Sequence, residues 1–391
     1  MLDSIYVGMT GLNGFSKGLR VIANDTANLN TPGFKSSQLQ FGDLVFGGGS
    51  QGWGQANTGY GLATYSTTLN FAAGELRQTG NNLDMAIDGN GLFVLKDANG
   101  KLLYSRAGQF KIDDNGVLVD RLDGYKVVGM DVSGAMGEIS VGGLRTSAAR
   151  ATETVKFIGN LSTSATETTI SNITVYDAVG AQHTLTLLLK NIGSTKPGAW
   201  SATLSEDSTE IGTGEITFVG GQPLDGSSTL NFTYTPAGGS EMSFAFDFGQ
   251  DVTSYAGGSQ STLAVSSQDG YASGQLTGIE VNSSGALKLT YSNGQSATGP
   301  RLALASFDSV ESIRQVGGNK FEQTRPDGWH FGWAGEHGFG SIQGGRIEVS
   351  NVDLSQEFSD LVVMQRGYQA SSQVVSTANE MLQELFNMKG K

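Results

Sequence analysis

Three stretches of this 391-residue chain bring together residue types that could do chemistry. Asp113-Asp114-Asn115-Gly116 sets two carboxylates and an amide beside a glycine, as a calcium loop would. A calcium loop alternates its oxygen ligands and closes on a later bidentate Glu, and neither feature follows here. The stretch lies instead between Phe110-Lys111-Ile112 and Val117-Leu118-Val119, and Asn-Gly between apolar runs signals a hairpin turn. His330, Glu336 and His337, near Trp329 and Trp333, form a donor set that zinc accepts. That segment is broken by glycines and holds no His-Glu-x-x-His helix, so it reads as a loop with aromatic packing. Asp88-Gly89-Asn90-Gly91 contains Gly-x-Gly but opens a strand, so it reads as a turn and not as a dinucleotide fingerprint. His183 reads as a surface or turn residue ahead of a strand. Without a Gly-x-Ser-x-Gly elbow or a Ser-His-Asp order, no catalytic, cofactor or metal site is expected, and the chain is not read as an enzyme.

The strongest pattern lies at the two ends. Leu2, Ile5, Met9, Leu12, Phe15, Leu19, Ile22 and Leu29 recur at steps of three and four. Leu354, Phe358, Leu361, Tyr368, Val375, Met381, Leu382 and Leu385 do the same. Such steps line one face of a helix at coiled-coil spacing. They predict one helix from Asp3 to Asn28 and another from Leu354 to Met388, roughly 50 Å long at 1.5 Å per residue. Asn30-Thr31-Pro32-Gly33 ends the first. Asp353 and Gln356 resemble a capping box for the second. Gly8, Gly11, Gly14 and Gly18 weaken the first helix by roughly 0.5–1 kcal/mol each, so it needs a neighbour to order it, and they let a backbone approach closely.

Between the ends the chain reads as Gly-rich β structure. Leu92–Leu95 and Leu102–Tyr104 flank an Asn-Gly turn, and Thr184–Leu187 and Leu287–Tyr291 are further strands. Residues 146–275 shift to Thr, Ser and Gly, as an inserted domain would. The expected class is mainly β with helical termini. The helices of 1–34 and 351–391 pair as a coiled coil, and 35–72 is a linking segment. An inner β domain covers 73–145 and 276–350, and an outer β domain covers 146–275. Glycines at Gly47-Gly48-Gly49-Ser50, at Gly142-Gly143 and over 270–274 are candidate hinges.

A net charge of -13 argues against nucleic acid and against anionic lipid. No apolar run reaches the ~18–20 residues that span a bilayer. No basic-then-apolar leader is visible, which fits export by a route that reads no cleaved signal. The absence of Cys excludes a disulfide-stapled fold.

Residues 21–35, with Asn24, Asn28, Thr31, Gly33 and Phe34, resemble the N-terminal signature of the bacterial flagellar rod and hook axial proteins. Asn351-Val352-Asp353-Leu354, followed by Gln365-Arg366-Gly367-Tyr368, is similar to their C-terminal signature. The family's Asn-Asn-Ile-Ala-Asn is Asn24-Asp25-Thr26-Ala27-Asn28 here. Asn82–Gly89, Thr174–His183, Asp269–Gly274 and Tyr291–Gly294 resemble the hook members specifically. The resemblance implies a self-assembling subunit of a curved, flexible tube. It implies passage through the flagellar export apparatus, and rod, hook-cap and hook–filament junction proteins as partners. The self-assembly seam would be Leu2, Ile5, Met9, Leu12, Leu19, Ile22 and Leu29 with Leu354, Phe358, Leu361, Tyr368, Val375, Leu382 and Leu385. A straight distal-rod subunit and a secreted β-rich adhesin are the competing readings.

Overall fold

A computed structural model describes residues 2–45, 59–131, 133–249 and 251–389. The expected hinge at Gly47–Ser50 lies outside the described residues. The chain divides into two compact units. One comprises residues 1–142, 279–288 and 298–391; the other comprises 143–278 and 289–297.

In the first unit, α1 (Leu2–Ala27) and α2 (Leu354–Lys389) pack together in antiparallel fashion. Glycine makes this possible. A Cβ built on Gly8 would lie 2.7 Å from Val375 Cγ2, one on Gly11 2.6 Å from Ser371 Oγ, and one on Gly18 2.9 Å from Met364 Sδ. From the other helix, a Cβ on Gly367 would fall 2.5 Å from Phe15 Cζ. These helices therefore touch through glycine, and each missing side chain admits a partner's. Gly14 serves a third element: its Cβ would strike Leu62 of a hairpin formed by β1 (Ser37–Val45) and β2 (Gly59–Leu69). The stretch expected as a linking segment thus carries a β hairpin. Its Leu39, Phe41 and Leu62 are partly buried beside α1, so it joins the helical layer.

The helix boundaries follow local chemistry. Asp353 Oδ1 accepts the N–H groups of Ser355 and Gln356, which caps α2. The reciprocal half of the capping box is not made: Gln356 donates instead to the Asp360 carboxylate one turn on. At the end of α1, Gly33 takes φ 69°, and a Cβ there would lie 2.4 Å from the Ala107 nitrogen. Only glycine fits both the left-handed backbone and that approach.

The β part of this unit is built on a ten-stranded sheet. Its main path runs 313–317, 320–323, 102–105, 92–96, 126–130, 118–120, 110–112. The Asn-Gly hairpins stand as expected, with Phe93 opposite Ser105 and Lys111 opposite Val119. Leu92, Val94, Tyr104, Val128, Ala303, Phe321 and Trp329 form a buried cluster against it. The 88–91 stretch is a turn whose Gly89 and Gly91 carbonyls accept from Arg106. The aromatic segment read as a loop is in part a strand: Trp329–Gly332 pairs with Leu304–Phe307, His330 pairs with Asp308 at 3.1 Å, and Trp333 Nε1 donates to the Met130 carbonyl.

The second unit is a β sandwich. One five-stranded sheet holds strands 167–176, 182–191, 199–206, 209–219 and 222–223. The other holds strands 229–234, 242–247, 154–160, 252–253 and 264–268. Val175, Leu185, Leu187, Leu189, Trp200, Phe232, Phe244 and Phe246 fill the space between them. Alternation along Gln182–Asn191 buries every second residue, as a one-faced strand must. Chain entry and exit pair directly, with Thr146 opposite Gln275 and Ser147 opposite Gly274. Two glycines read as hinge points are close-packed here: a Cβ would meet Thr152 at Gly270 and Asn293 at Gly274. His183 is a correction of a different kind. It lies within a strand with its Nε2 buried, so it is not a surface residue.

Trp200 is the largest fully buried side chain among the described residues. Trp200→Ala should lower the stability of the 143–278 unit by about 3–5 kcal/mol. Differential scanning calorimetry should then resolve an early transition, while the other unit keeps its own. A single transition that shifts as a whole would contradict two separate cores.

Candidate functional site

The two signatures that bracket the sequence meet in the first unit, where α1 ends and α2 begins. Asn28 Nδ2 donates back to the Asn24 carbonyl at 2.9 Å, and Thr31 Oγ1 donates to Asn28 Oδ1 at 3.0 Å. This short ladder terminates α1 and steers the chain toward Gly33. Phe34 is buried. Asn351 then ties three segments: Oδ1 accepts Ser36 N at 2.8 Å, and Nδ2 donates to the Asn70 and Ala72 carbonyls at 2.8 and 3.0 Å. The Gly33 N–H donates to the Glu348 carbonyl at 2.8 Å.

Beneath this junction lies an ionic cluster. The Glu348 side chain is fully buried. It accepts Lys35 Nζ at 2.6 Å, the Gly74 N–H at 2.8 Å and Arg106 Nε. Lys35 also donates to the Ala72 carbonyl at 2.7 Å, and Arg106 reaches the Ile87, Gly89 and Gly91 carbonyls. Burial works to raise the Glu348 carboxyl, but the charges of Arg106 and Lys35 overcome it and hold it below the usual carboxylate range. Burial, with the Arg106 charge, pulls Lys35 below its ordinary value despite Glu348. No spacing rule connects positions 35, 106 and 348, which is why reading the sequence missed this cluster.

Beside it the helices carry carboxylates close together. Asp25 is fully buried and accepts Ser37 N at 2.8 Å, and burial raises its carboxyl. Burial, then the charges of Asp25, Asp360 and Asp353, pushes Glu357 up to about 7.

The seam residues divide by face. Ile22 is buried, and Ile5, Leu12, Leu19, Leu29, Leu354, Leu361, Val375 and Leu382 are half-buried. Leu2, Met9, Phe358, Tyr368 and Leu385 face solvent, as do Tyr6, Val7, Val362, Val363, Phe386 and Met388. The contact between the helices rests largely on Gly8, Gly11, Gly18, Met364, Gly367, Ser371 and Ala378. Small residues do not register in a count of apolar steps, so that count named large residues of both faces and passed over the glycines and Ser371 of the inner one. Gln365 and Arg366 are exposed on α2. Among the described residues no helix is long and apolar enough to cross a membrane.

Known proteins share these features. The model described as flagella basal body rod protein matches residues 5–35. That of the flagellar hook protein FlgE/F/G D1 domain matches 86–175, and that of the flagellar basal body rod FlgEFG protein C-terminal matches 343–388. The chain is 30% identical to the flagellar hook protein FlgE of Salmonella typhimurium, over 97% of its own length and 98% of that protein's. It is 28% identical to FlgE of Treponema pallidum over the full length of both. A crystal structure of Helicobacter pylori flagellar hook protein FlgE2 matches 68% of this chain and 99% of its own, with a TM-score of 0.50 at 13% identity, a likeness of fold.

Glu348→Gln leaves two buried cations without their counter-ion and should cost about 3–5 kcal/mol. The folded carboxyl sits below its unfolded value, so its contribution is complete above the ordinary Glu range. It is lost as pH falls through the folded value, below about 4.3. Acid unfolding of the first unit, followed by circular dichroism, should show this branch in the parent protein and a weaker one in the variant. An unchanged acid branch would show that Glu348 does not carry it.

Proposed function

The chain belongs to the flagellar hook protein family, and on that premise we propose how it performs as a structural subunit of the bacterial flagellar hook. Copies of the chain polymerise through the outward faces of α1 and α2 into a curved, flexible tube that passes torque from rod to filament. One observation carries this reading: both terminal helices keep large apolar side chains in solvent after they have packed on each other. Leu2 is 75% exposed, Phe386 70% and Met388 74%. The helix register adds to it. Gly18 meets Met364, Phe15 meets Gly367 and Gly8 meets Val375, so α2 runs past the start of α1 by about two turns. Leu385, Phe386 and Met388 lie on that overhang, beyond the reach of their own α1. Exposed apolar surface of this extent calls for a partner, and in a homopolymer the partner is another copy.

In this reading the Lys35–Glu348–Arg106 cluster holds the helical pair at a fixed angle to its own β layer, so each subunit presents the seam in one geometry. The 143–278 unit forms the outer layer, where polar contacts between neighbours adjust as the tube turns. The rod, the hook cap and the hook–filament junction supply the neighbouring proteins, and the flagellar export apparatus delivers the chain. Full-length relatives that carry the hook name favour this reading over the distal rod.

Burying a Leu side chain contributes ~1.5–3 kcal/mol, and 1.4 kcal/mol is tenfold in association. Leu385→Asp should therefore raise the concentration needed for polymerisation by about 10–100-fold. Far-UV circular dichroism of the monomer should not change, because Leu385 is exposed in the single chain. Normal tubes at the parent's concentration would remove the overhang from the seam. A second variant tests the outer layer. Deleting 148–273 and joining Ser147 to Gly274 through a short Gly/Ser turn uses the existing strand pairing. Electron microscopy should show tubes that still form but are straighter or more fragile. Soluble subunits alone, with a folded first unit, would make the deleted part the main assembly contact.

A further inference from the structure

An open apolar cavity of about 480 Å³ lies on the helical layer of the first unit, where α1 meets the β1–β2 hairpin. Val7, Gly11 and Phe15 of α1 line one side, and Phe41 and Leu62 of the hairpin line the other. The Phe15 and Phe41 rings stand 6.1 Å apart at a tilt of 45°. Both are half-buried, so part of each ring stays open. Asp43 is the one charged residue of the lining among the described residues, and it is exposed. Val7 and its neighbour Tyr6 are exposed as well, so the cavity runs on into the outward face of α1.

A cavity walled by aromatic and aliphatic side chains takes an aromatic anchor, whose ring meets the wall rings edge-on or offset. The same layer holds an anchor without a pocket. Phe386 is 70% exposed on the α2 overhang, with Leu385 and Met388 exposed beside it. Phe386 does not reach the cavity of its own chain. Gly11 lies against Ser371, and Phe386 follows about fifteen residues farther along α2, or about 22 Å at 1.5 Å per residue. The charges match. The overhang reads Leu385-Phe386-Asn387-Met388-Lys389, whose single charge is positive, and the cavity offers the Asp43 carboxylate.

We propose that Phe386 of one copy docks into the Val7–Phe15–Phe41–Leu62 cavity of a second copy, with the positive end of the overhang on the Asp43 side. This rests on the reading of the chain as a self-assembling subunit, and it adds which two surfaces meet. It also fixes a dimension. Parallel copies joined in this way are staggered along the helix axis by about 22 Å, the distance that separates the anchor from its own cavity. The contact is head to tail, because anchor and cavity are different surfaces, so it propagates from copy to copy instead of closing a dimer.

The test uses full-length chains. With the photo-crosslinker p-benzoylphenylalanine in place of Phe386, illumination of assembled tubes should join the overhang of one chain to residues 7–15 or to the hairpin strands of another. Mass spectrometry of the crosslinked peptides maps the sites, and the dilute, unassembled chain should give no such product. A double-mutant cycle supplies a second readout. Phe386→Ala should raise the concentration needed for polymerisation by about 10–100-fold, the scale of one buried aromatic anchor. Val7→Ala should raise it less, and the two together should do little more than Phe386→Ala alone, since residues in contact do not add. Both side chains are exposed in the single chain, so its far-UV circular dichroism should not change. Tubes whose crosslinks map to other surfaces, or penalties that simply add, would overturn the docking and leave assembly through the terminal helices in place. A parent chain that forms no tubes would remove that reading, and the docking with it. The cycle uses only truncations of exposed side chains, so it decides the question even where the bulkier crosslinker blocks assembly.

Discussion

The first unit depends on one buried carboxylate. Glu348 lies at the last strand before α2, Lys35 just beyond the end of α1, and Arg106 on the hairpin arm of the sheet. Two cations and one anion buried together are costly to desolvate. They are tolerated because most donors are used: Lys35 reaches the Ala72 carbonyl, and Arg106 reaches three carbonyls of the 87–91 turn. A greasy substitute would fill the same volume but fix no angle. The ionic cluster sets where the helical pair leaves the β layer, and Asn351 repeats the same tie above it with amide hydrogen bonds.

Given that anchor, glycine decides how the helices meet. With Gly8, Gly11 and Gly18 on one side and Gly367 on the other, the backbones approach until side chains of one helix fill the gaps of its partner. Phe15, Met364 and Val375 fill those gaps, while other large apolar residues such as Leu2, Phe358 and Phe386 remain on the outer faces. A helix with four interior glycines forms poorly alone. The α1 helix is thus held by α2 and the β1–β2 hairpin, while its other face stays exposed.

The sandwich of 143–278 follows a different rule. Its core is dense and aromatic, with Trp200, Phe157, Phe246 and Phe248 buried, whereas charged residues such as Lys156 and Lys190 are exposed on its strands. Tyr234 donates to Glu206 across the two sheets, a polar contact beside that aromatic core. A tube that bends as it rotates needs rigid bodies with adjustable contacts between them. A well-packed sandwich, whose 143–278 stretch opens and closes on one strand pairing, supplies such a body.

The sequence alone determined the helical termini, the Asn-Gly hairpins, the mainly β class and the family, because each is written in local periodicity or in short contiguous motifs. The turn readings of 88–91 and 113–116 belong to the same group, since Gly and Asn fix backbone conformation where they stand. What only the tertiary structure decided lies in residues far apart in the chain. Positions 35, 106 and 348 carry no mutual spacing, the hairpin inside 35–72 gains its burial from α1, and His183 meets Glu206 from a neighbouring strand. A count of apolar steps could say that α1 and α2 each have a sticky stripe, but not which residues face inward, because the inward contact is made by glycine, which has no side chain to count.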